Sequence, residues 1–448
     1  MSYKEKLIPR TEELEAHFEK FPDLPKEAII KEDCLRLGLR FSRAALEACK
    51  GYQTKLHYMF SFDASKVDLT VGEESLSPPL DIKLEGGRYR LRPTDTQVRI
   101  REDSPYLVDI VDGKLMLCDN SPSNPLAEAR LRRPSQYYSM TLSDGTPYYE
   151  IISEIRWGYS AFCTVLHYCE YWKDGLECKY CDIAPVGRQH GLAGKPIKVR
   201  KKVEDVVEVA DAIFNKGLVA AEPPDTNDPV ESRRPRILTL DGGTITSQIG
   251  GRNDAEFLSE YAKKVKERIG GRCELVVSGG SKNKEDCKRL RDAGVDVILS
   301  NIEVWDKRLF QILCPGKDKF VGRDEWIKRA IEAVDVFGVG HVCPSFVAGV
   351  EMAQPWGFKD VDSAVESTTQ GYDYLMSHGV FPRPLTWVAE PKSALGGHPP
   401  VPLEYYCKMD QNHAKLWKKH RIPVSAMCQP IGPGNSSGSL CPYLDAYQ

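Results

Sequence analysis

Three features of the sequence predict an α/β fold of six βα units preceded by a smaller α+β segment. From Asp205 onward, short β-branched runs alternate with longer charged amphipathic runs, the pattern of a parallel sheet covered by helices. Glycines follow the helical runs at Gly217, Gly270-Gly271, Gly294, Gly338 and Gly379, where C-terminal caps belong. The first 150 residues obey a different rule, with short alternating runs separated by hairpin-type turns.

Taken in order, the chain starts with a helical pattern over 26–50. The runs Tyr89-Arg-Leu-Arg, Val98-Arg-Ile-Arg and Tyr106-Leu-Val-Asp-Ile-Val then read as antiparallel strands, with turns at Asp112-Gly-Lys and Asp144-Gly-Thr. Residues 1–150 are therefore expected to form an α+β accessory domain. The six parallel strands are expected at 161–166, 236–240, 274–278, 295–300, 342–350 and 384–388, each ending near Gly, Ser, Asn, Cys or an acidic residue. Helices are expected at 203–215, 254–268, 284–293, 324–337, 361–377 and 403–419. In the second, Phe257, Tyr261 and Val265 recur at four-residue spacing, so one apolar stripe can face the sheet. The proline-rich polar run 221–235 reads as an exposed loop before the second strand. This organisation places the βα units in 151–405 and leaves 406–448 as a C-terminal helix with a flexible or lid-like tail.

Composition narrows the class of partner. The hydrophobic share of 41%, the charged share of 28% and a formal charge of -3 lie in the ordinary range, with no acidic or basic block to meet a nucleic acid or a membrane surface. A small molecule or a peptide is the expected substrate. The start, Met1-Ser-Tyr-Lys-Glu-Lys, lacks the apolar run of a secretion signal, and no stretch has the length to cross a bilayer. A cytoplasmic location is expected.

The chain has 14 cysteines. Cys34, Cys49, Cys118, Cys273, Cys287, Cys314, Cys343, Cys407, Cys428 and Cys441 are scattered, mostly in apolar or helical patterns, and each reads as a buried thiol. Cys163, Cys169, Cys178 and Cys181 crowd into one segment that follows a strand and precedes a helix. Two cysteines separated by two residues put both sulfurs on one side of a turn, and a third nearby completes a tripod. The alternative is a structural zinc site in which all four cysteines close a tetrahedral shell, giving a zinc-stabilised binding protein. A zinc hydrolase is the weakest option, because the sequence has no His-Glu-x-x-His pattern and no obvious open three-ligand site.

The order strand, Cys, loop, Cys-x-aromatic-Cys, helix resembles the cluster loop of the radical S-adenosylmethionine (radical SAM) superfamily, with Tyr180 in the aromatic place. The usual loop is Cys-x3-Cys-x2-Cys. Here Cys169 as first ligand gives Cys-x8-Cys-x2-Cys, and Cys163 gives Cys-x14-Cys-x2-Cys, a spacing similar to one known among 7-carboxy-7-deazaguanine synthases. Cys169 is preferred because family members place the first ligand just beyond the first strand, whereas Cys163 falls inside the apolar run 162–166. The resemblance continues at Asp241-Gly242-Gly243-Thr244, placed like the family's Gly-Gly-Glu segment, with Thr244 standing where the glutamate would be. Asp241 or backbone carbonyls would then take the amino group of SAM. Asn301-Ile-Glu303 looks like the Asn-Ile-Glu segment of lipoyl synthases and their biotin-synthase-like relatives, and Gly349-Val350 matches the fifth-strand segment that packs on adenine.

By this resemblance the fold is a partial (β/α)6 barrel. The implied cofactors are a [4Fe-4S] cluster on Cys169, Cys178 and Cys181, and SAM against Tyr180, Gly242, Gly243, Thr244, Asn301, Glu303, Gly349 and Val350. Reduced flavodoxin or ferredoxin is the implied electron donor. Glu351 would order the mouth of the barrel or end a strand in solvent. Arg188, His190, His398, Tyr405 and Tyr406 are candidates to reach substrate. Cys428 and Cys441 flank a Gly/Ser-rich tail that would hang free, cover the mouth or hold a second metal centre.

Overall fold

A computed structural model of the chain describes residues 9–54, 69–71, 74–192, 197–219, 235–247 and 251–428. The expected loop at 221–235, apart from Pro235, and the tail with Cys441 lie outside the described residues, as does the side chain of His190.

The N-terminal alternating runs form a six-stranded sheet backed by two helices, α1 (Arg10–Lys20) and α2 (Lys26–Leu37). Its strands are β1 (Arg40–Phe41), β2 (Asp81–Gly86), β3 (Leu91–Gln97), β4 (Tyr106–Val111), β5 (Lys114–Asp119) and β6 (Pro125–Arg130), in the order β1-β4-β5-β6-β2-β3. Asp112 and Gly113, both at positive φ, make the two-residue turn between β4 and β5. The helix expected over 26–50 ends early. Gly38 takes φ 71°, and a Cβ there would lie 2.9 Å from the Arg99 carbonyl oxygen, so the chain turns, pairs as β1, and resumes as a short helix at Arg43–Ala48. The strand expected at Val98-Arg-Ile-Arg lies past the end of β3 and contributes a single bridge, Leu39 to Ile100. Its Arg99 is committed elsewhere, donating to the carbonyls of Leu35 and Thr386 at 2.9 Å each.

The second half supplies the six parallel strands. A short strand, β7 (Ser153–Ile155), runs antiparallel along the edge of β8 (Ser160–Leu166), and β9 (Ile237–Gly242), β10 (Glu274–Gly279) and β11 (Val297–Ser300) follow in parallel. Parallel bridges Ile298–Val342 and Glu303–Phe346 carry the series on to β12 (Ser345–Ala348) and its parallel partner β13 (Arg383–Thr386). The expected strand at 342–350 is shortened because Pro344 has no N–H to give and Gly349 turns away at φ 100°. The result is a mixed α/β fold with an open series of parallel strands, and no closed barrel forms among the described residues.

Helices between the strands are α3 (Ile183–Leu192), α4 (Val203–Phe214), α5 (Asp254–Ile269), α6 (Lys284–Asp292), α7 (Lys307–Leu313), α8 (Pro315–Phe320), α9 (Arg323–Phe337), α10 (Val361–Ser377) and α11 (Leu403–His420). The capping box of Asn253 and Glu256 starts α5, and Gly270 at φ 62° ends it. Phe257, Tyr261 and Val265 are fully buried, as the stripe requires. At the amino ends of the strands, the Glu274 carboxylate accepts the backbone N–H groups of Ala426 and Met427, which seats the turn Ala426–Cys428 there. Cys428 thus lies at the opposite end of the strands from the cysteine loop.

On the open side, α2 lies against β13: Thr386 Oγ1 donates to Glu32 at 2.9 Å, beside the Arg99 bond to the same residue's carbonyl. The neighbouring Asp33 is fully buried and accepts from Arg10 Nε (2.9 Å), Arg36 Nε (2.6 Å) and Tyr106 Oη (2.5 Å). Burial pushes its pKa up, but Arg36 and Arg10 outweigh that and hold it below the ordinary carboxylate value. Asp33→Ala strands buried guanidinium groups, and the expected loss is about 3–5 kcal/mol at pH 7 by urea unfolding. Because the folded-state pKa is depressed, the stabilisation is complete above the ordinary carboxylate range and is lost as the pH falls through the depressed value. The gap between wild type and variant should therefore narrow in acid.

Candidate functional site

The cysteine-bearing loop leaves β8 at its carboxyl end and is held by backbone contacts on two sides. On one side, Gly243 N–H donates to the Leu166 carbonyl at 3.3 Å and Glu170 N–H to the Thr244 carbonyl at 2.9 Å. A Cβ on Gly243 would fall 2.1 Å from the Tyr168 carbonyl oxygen and 2.8 Å from Cys169 Cβ, so only glycine lets the loop settle there. Glu170 then grips the same segment, accepting from Thr246 N and Oγ1 (2.6 Å each) and Ser247 N (2.8 Å) and Oγ (2.5 Å). Partial burial works against its charge, yet these four bonds bring its pKa down to about 2, so the carboxylate strap is charged at neutral pH.

On the other side, Lys179 N–H donates to the Leu313 carbonyl (2.8 Å) and Gly316 N–H to the Leu176 carbonyl (3.0 Å). Gly316 again has no room for a side chain, with a Tyr171 ring carbon 2.5 Å from where Cβ would stand. Between these anchors, Cys181 N–H bonds back to the Cys178 carbonyl at 2.9 Å, the tight turn expected of Cys-x2-Cys.

Cys169, Cys178 and Cys181 are each half-buried and lie within electrostatic reach of one another. Burial raises the thiol pKa of Cys169 and Cys181. Cys178 is lowered, first by a hydrogen bond from Cys314, which outweighs burial, and then by the Lys317 ammonium. Cys163 stands apart. It is fully buried on β8, with Lys201 and Asp241 as its charged neighbours, and the zinc set of four is not brought together. Among the described residues, no group of three or more His, Cys, Asp or Glu side chains is arranged to hold a single metal ion. Ligands to a four-iron cluster each bind their own iron, so they need not converge on one point.

The other residues named from the sequence fall into two groups. Tyr180 Oη lies 3.7 Å from Cys314 Sγ, and Gly242 ends β9 in register with Leu166. Thr244 gives its carbonyl to Glu170, and half-buried Asp241 beside it is pushed by burial up to about 6, against a Ser278 hydrogen bond that pulls the other way. The Asn301 side chain accepts Ser345 N–H at 3.0 Å, while its carbonyl and Glu303 Oε1 accept Lys317 Nζ at 2.7 and 2.6 Å. Gly349 and Val350 belong to a second group, under α11. There the buried Glu351 accepts Gly349 N–H (2.8 Å), Thr368 Oγ1 (2.6 Å) and Tyr405 Oη, so Glu351 is not a solvated strand end, and Tyr406 Oη donates to the Ala348 carbonyl at 3.3 Å. Val350 is fully buried in the core. Arg188 is exposed, and His398 is half-buried with its ring tilted at 47° to that of Trp387, 5.0 Å between centroids.

Sequence reasoning missed Cys314, Lys317 and Glu170 as parts of this site. One signal was available: Gly316 inside a helical stretch is costly unless another segment approaches closely.

The sequence matches none of the known family models. It is 22% identical over 316 residues to the bacteriochlorophyllide c C-7(1)-hydroxylase of Chlorobaculum limnaeum, covering 66% of this chain and 69% of that one. Among solved structures it is similar to methylornithine synthase, PylB (14% identity, TM-score 0.41, 62% of this chain and 71% of that one). It is also similar to the [FeFe]-hydrogenase maturase HydG (14%, TM-score 0.38, 58% of this chain), of which it spans 48%. A third is coproporphyrinogen III oxidase, HemN, of Escherichia coli, described as a radical SAM enzyme (12%, TM-score 0.33, 58% of this chain and 52% of that one).

If the loop rests on the Gly243 backbone, Gly243→Ala must displace it. Trypsin should cut at the exposed Lys173 several-fold faster in the variant, with a stability loss of about 1–3 kcal/mol from overpacking.

Proposed function

We propose that this chain is a radical SAM enzyme, with a [4Fe-4S] cluster held by Cys169, Cys178 and Cys181 and with SAM as its second cofactor. The observation that carries the reading is the loop itself: three thiols in mutual reach at the carboxyl end of parallel strands, seated on a glycine pair, in a chain whose motifs resemble that family. The donor set fits, since three sulfurs leave one corner of the cluster free for a cofactor. When bound, the reduced cluster and SAM supply a 5′-deoxyadenosyl radical that abstracts hydrogen from the substrate.

The residues of the chain bind and orient. Glu170 and Gly243 hold the cysteine loop to β9, and Lys317 fixes Glu303 and the Asn301 carbonyl at the neighbouring strand end. Asp241 is the carboxylate nearest the Gly-Gly segment and would take the amino group of SAM in place of the family's glutamate. Electrons would come from reduced flavodoxin or ferredoxin, and the substrate is a small molecule or a peptide. The named relative is a hydroxylase of a bacteriochlorophyllide. No described helix is long and apolar enough to cross a membrane.

Anaerobic reconstitution tests the reading. A brown protein with about four irons that releases 5′-deoxyadenosine from SAM on reduction is the expected outcome, and a colourless protein holding one zinc would refute it. Cys169→Ala should lose the cluster while Cys163→Ala keeps it. The reverse pattern would make Cys163 the first ligand. SAM affinity, followed by equilibrium dialysis, should weaken as the pH drops through about 6 and Asp241 takes up a proton, and Asp241→Asn should abolish that dependence.

A further inference from the structure

The three loop cysteines leave a fourth thiol at the site unexplained. Cys314 is fully buried and hydrogen-bonded to Cys178, although 136 residues separate them in sequence. Its position is imposed by backbone. Cys314 N–H donates to Phe310 (2.9 Å), the adjacent Leu313 carbonyl accepts Lys179 N–H (2.8 Å), and Gly316 N–H donates to Leu176 (3.0 Å) with no space for a side chain. The segment 313–316 is thereby docked on the loop, with its one thiol presented to Cys178. Tyr180, which lies between Cys178 and Cys181 in sequence, places its hydroxyl 3.7 Å from the same sulfur.

We infer that Cys314 is a positioning residue of the cluster site, whose S–H donates a hydrogen bond to the Cys178 sulfur and makes the cluster easier to reduce. The inference rests on the radical SAM reading. The direction of donation follows from the ligand set: a cysteine bound to iron carries no proton, so of the two sulfurs only Cys314 has an S–H to give, and the docking of 313–316 on the loop aims it at Cys178. A donor to a ligand sulfur draws electron density from the cluster and so stabilises the added electron, as hydrogen bonds to sulfurs do in iron–sulfur proteins generally. No covalent bond is made or broken.

The test uses the full chain, reconstituted anaerobically, as wild type, Cys314→Ala, Cys314→Ser and a control, Cys118→Ala, in the N-terminal sheet. Iron content and the midpoint potential from an EPR-monitored reductive titration are measured for each. All four should hold the same iron. The potential should be more negative in Cys314→Ala, lie between that and wild type in Cys314→Ser, where a hydroxyl can still donate, and be unchanged in Cys118→Ala. Should Cys314→Ala not fold, Cys314→Ser alone decides, since its potential must differ from wild type. Loss of iron from folded Cys314 variants would overturn the inference by making Cys314 a ligand, and a wild-type potential in the variant that decides would reduce it to a space-filling thiol. A wild-type chain that takes up no cluster would remove the proposed function and this inference together, whereas a cluster indifferent to position 314 would remove the inference alone.

Discussion

The close approach of Gly243 to the Tyr168 carbonyl and the Cys169 Cβ governs the rest of the site. A loop this long, with half-buried sulfurs and exposed lysine and aspartate at its tip, has little apolar surface of its own to order it. It is ordered instead by resting on the end of β9, and the rest requires that one position carry no side chain. Once that contact exists, Glu170 falls opposite the N–H groups of Thr246 and Ser247, and its carboxylate converts a van der Waals fit into four charge-assisted hydrogen bonds.

The same logic repeats on the far side of the loop, where Gly316 plays the part of Gly243 and Tyr171 and Leu176 supply the surface. The loop is therefore gripped between the segment that follows β9 and the junction of α7 with α8. Electrostatics then distinguishes the three sulfurs. Cys178 faces a thiol donor and a buried ammonium, while Cys169 and Cys181 are set mainly by burial. Lys317 in turn is held by Glu303, by the Asn301 carbonyl and by the face of Trp326, 4.6 Å away, so its charge cannot swing out to solvent.

Much of this was legible in the sequence because it depends on local pattern. The parallel strands read as β-branched runs, the buried stripe of α5 as a four-residue period, and the Cys-x2-Cys turn as a spacing. What escaped depends on which loops meet. Nothing near Cys314 announces Cys178, and nothing near Gly38 announces the Arg99 carbonyl that forbids a longer helix. The Val98-Arg-Ile-Arg run has a strand's alternation, yet its arginine is spent on carbonyls of α2 and β13, a use that alternation cannot reveal. Cys163 is the instructive middle case: it lies within β8, and its charged neighbours are Lys201 and Asp241.

An open series of strands has a free flank, and here α2 occupies it, with Glu32 and Arg99 bonded to Thr386 of β13. A bare flank is a template for pairing with another chain, and a buried carbonyl that loses its donor is costly. Severing the first 130 residues would inflict both penalties at once: an adhesive edge and an orphaned threonine carbonyl. The N-terminal segment is thus better understood as the missing wall of the strand series than as an appendage, and its loss would be felt first as insolubility.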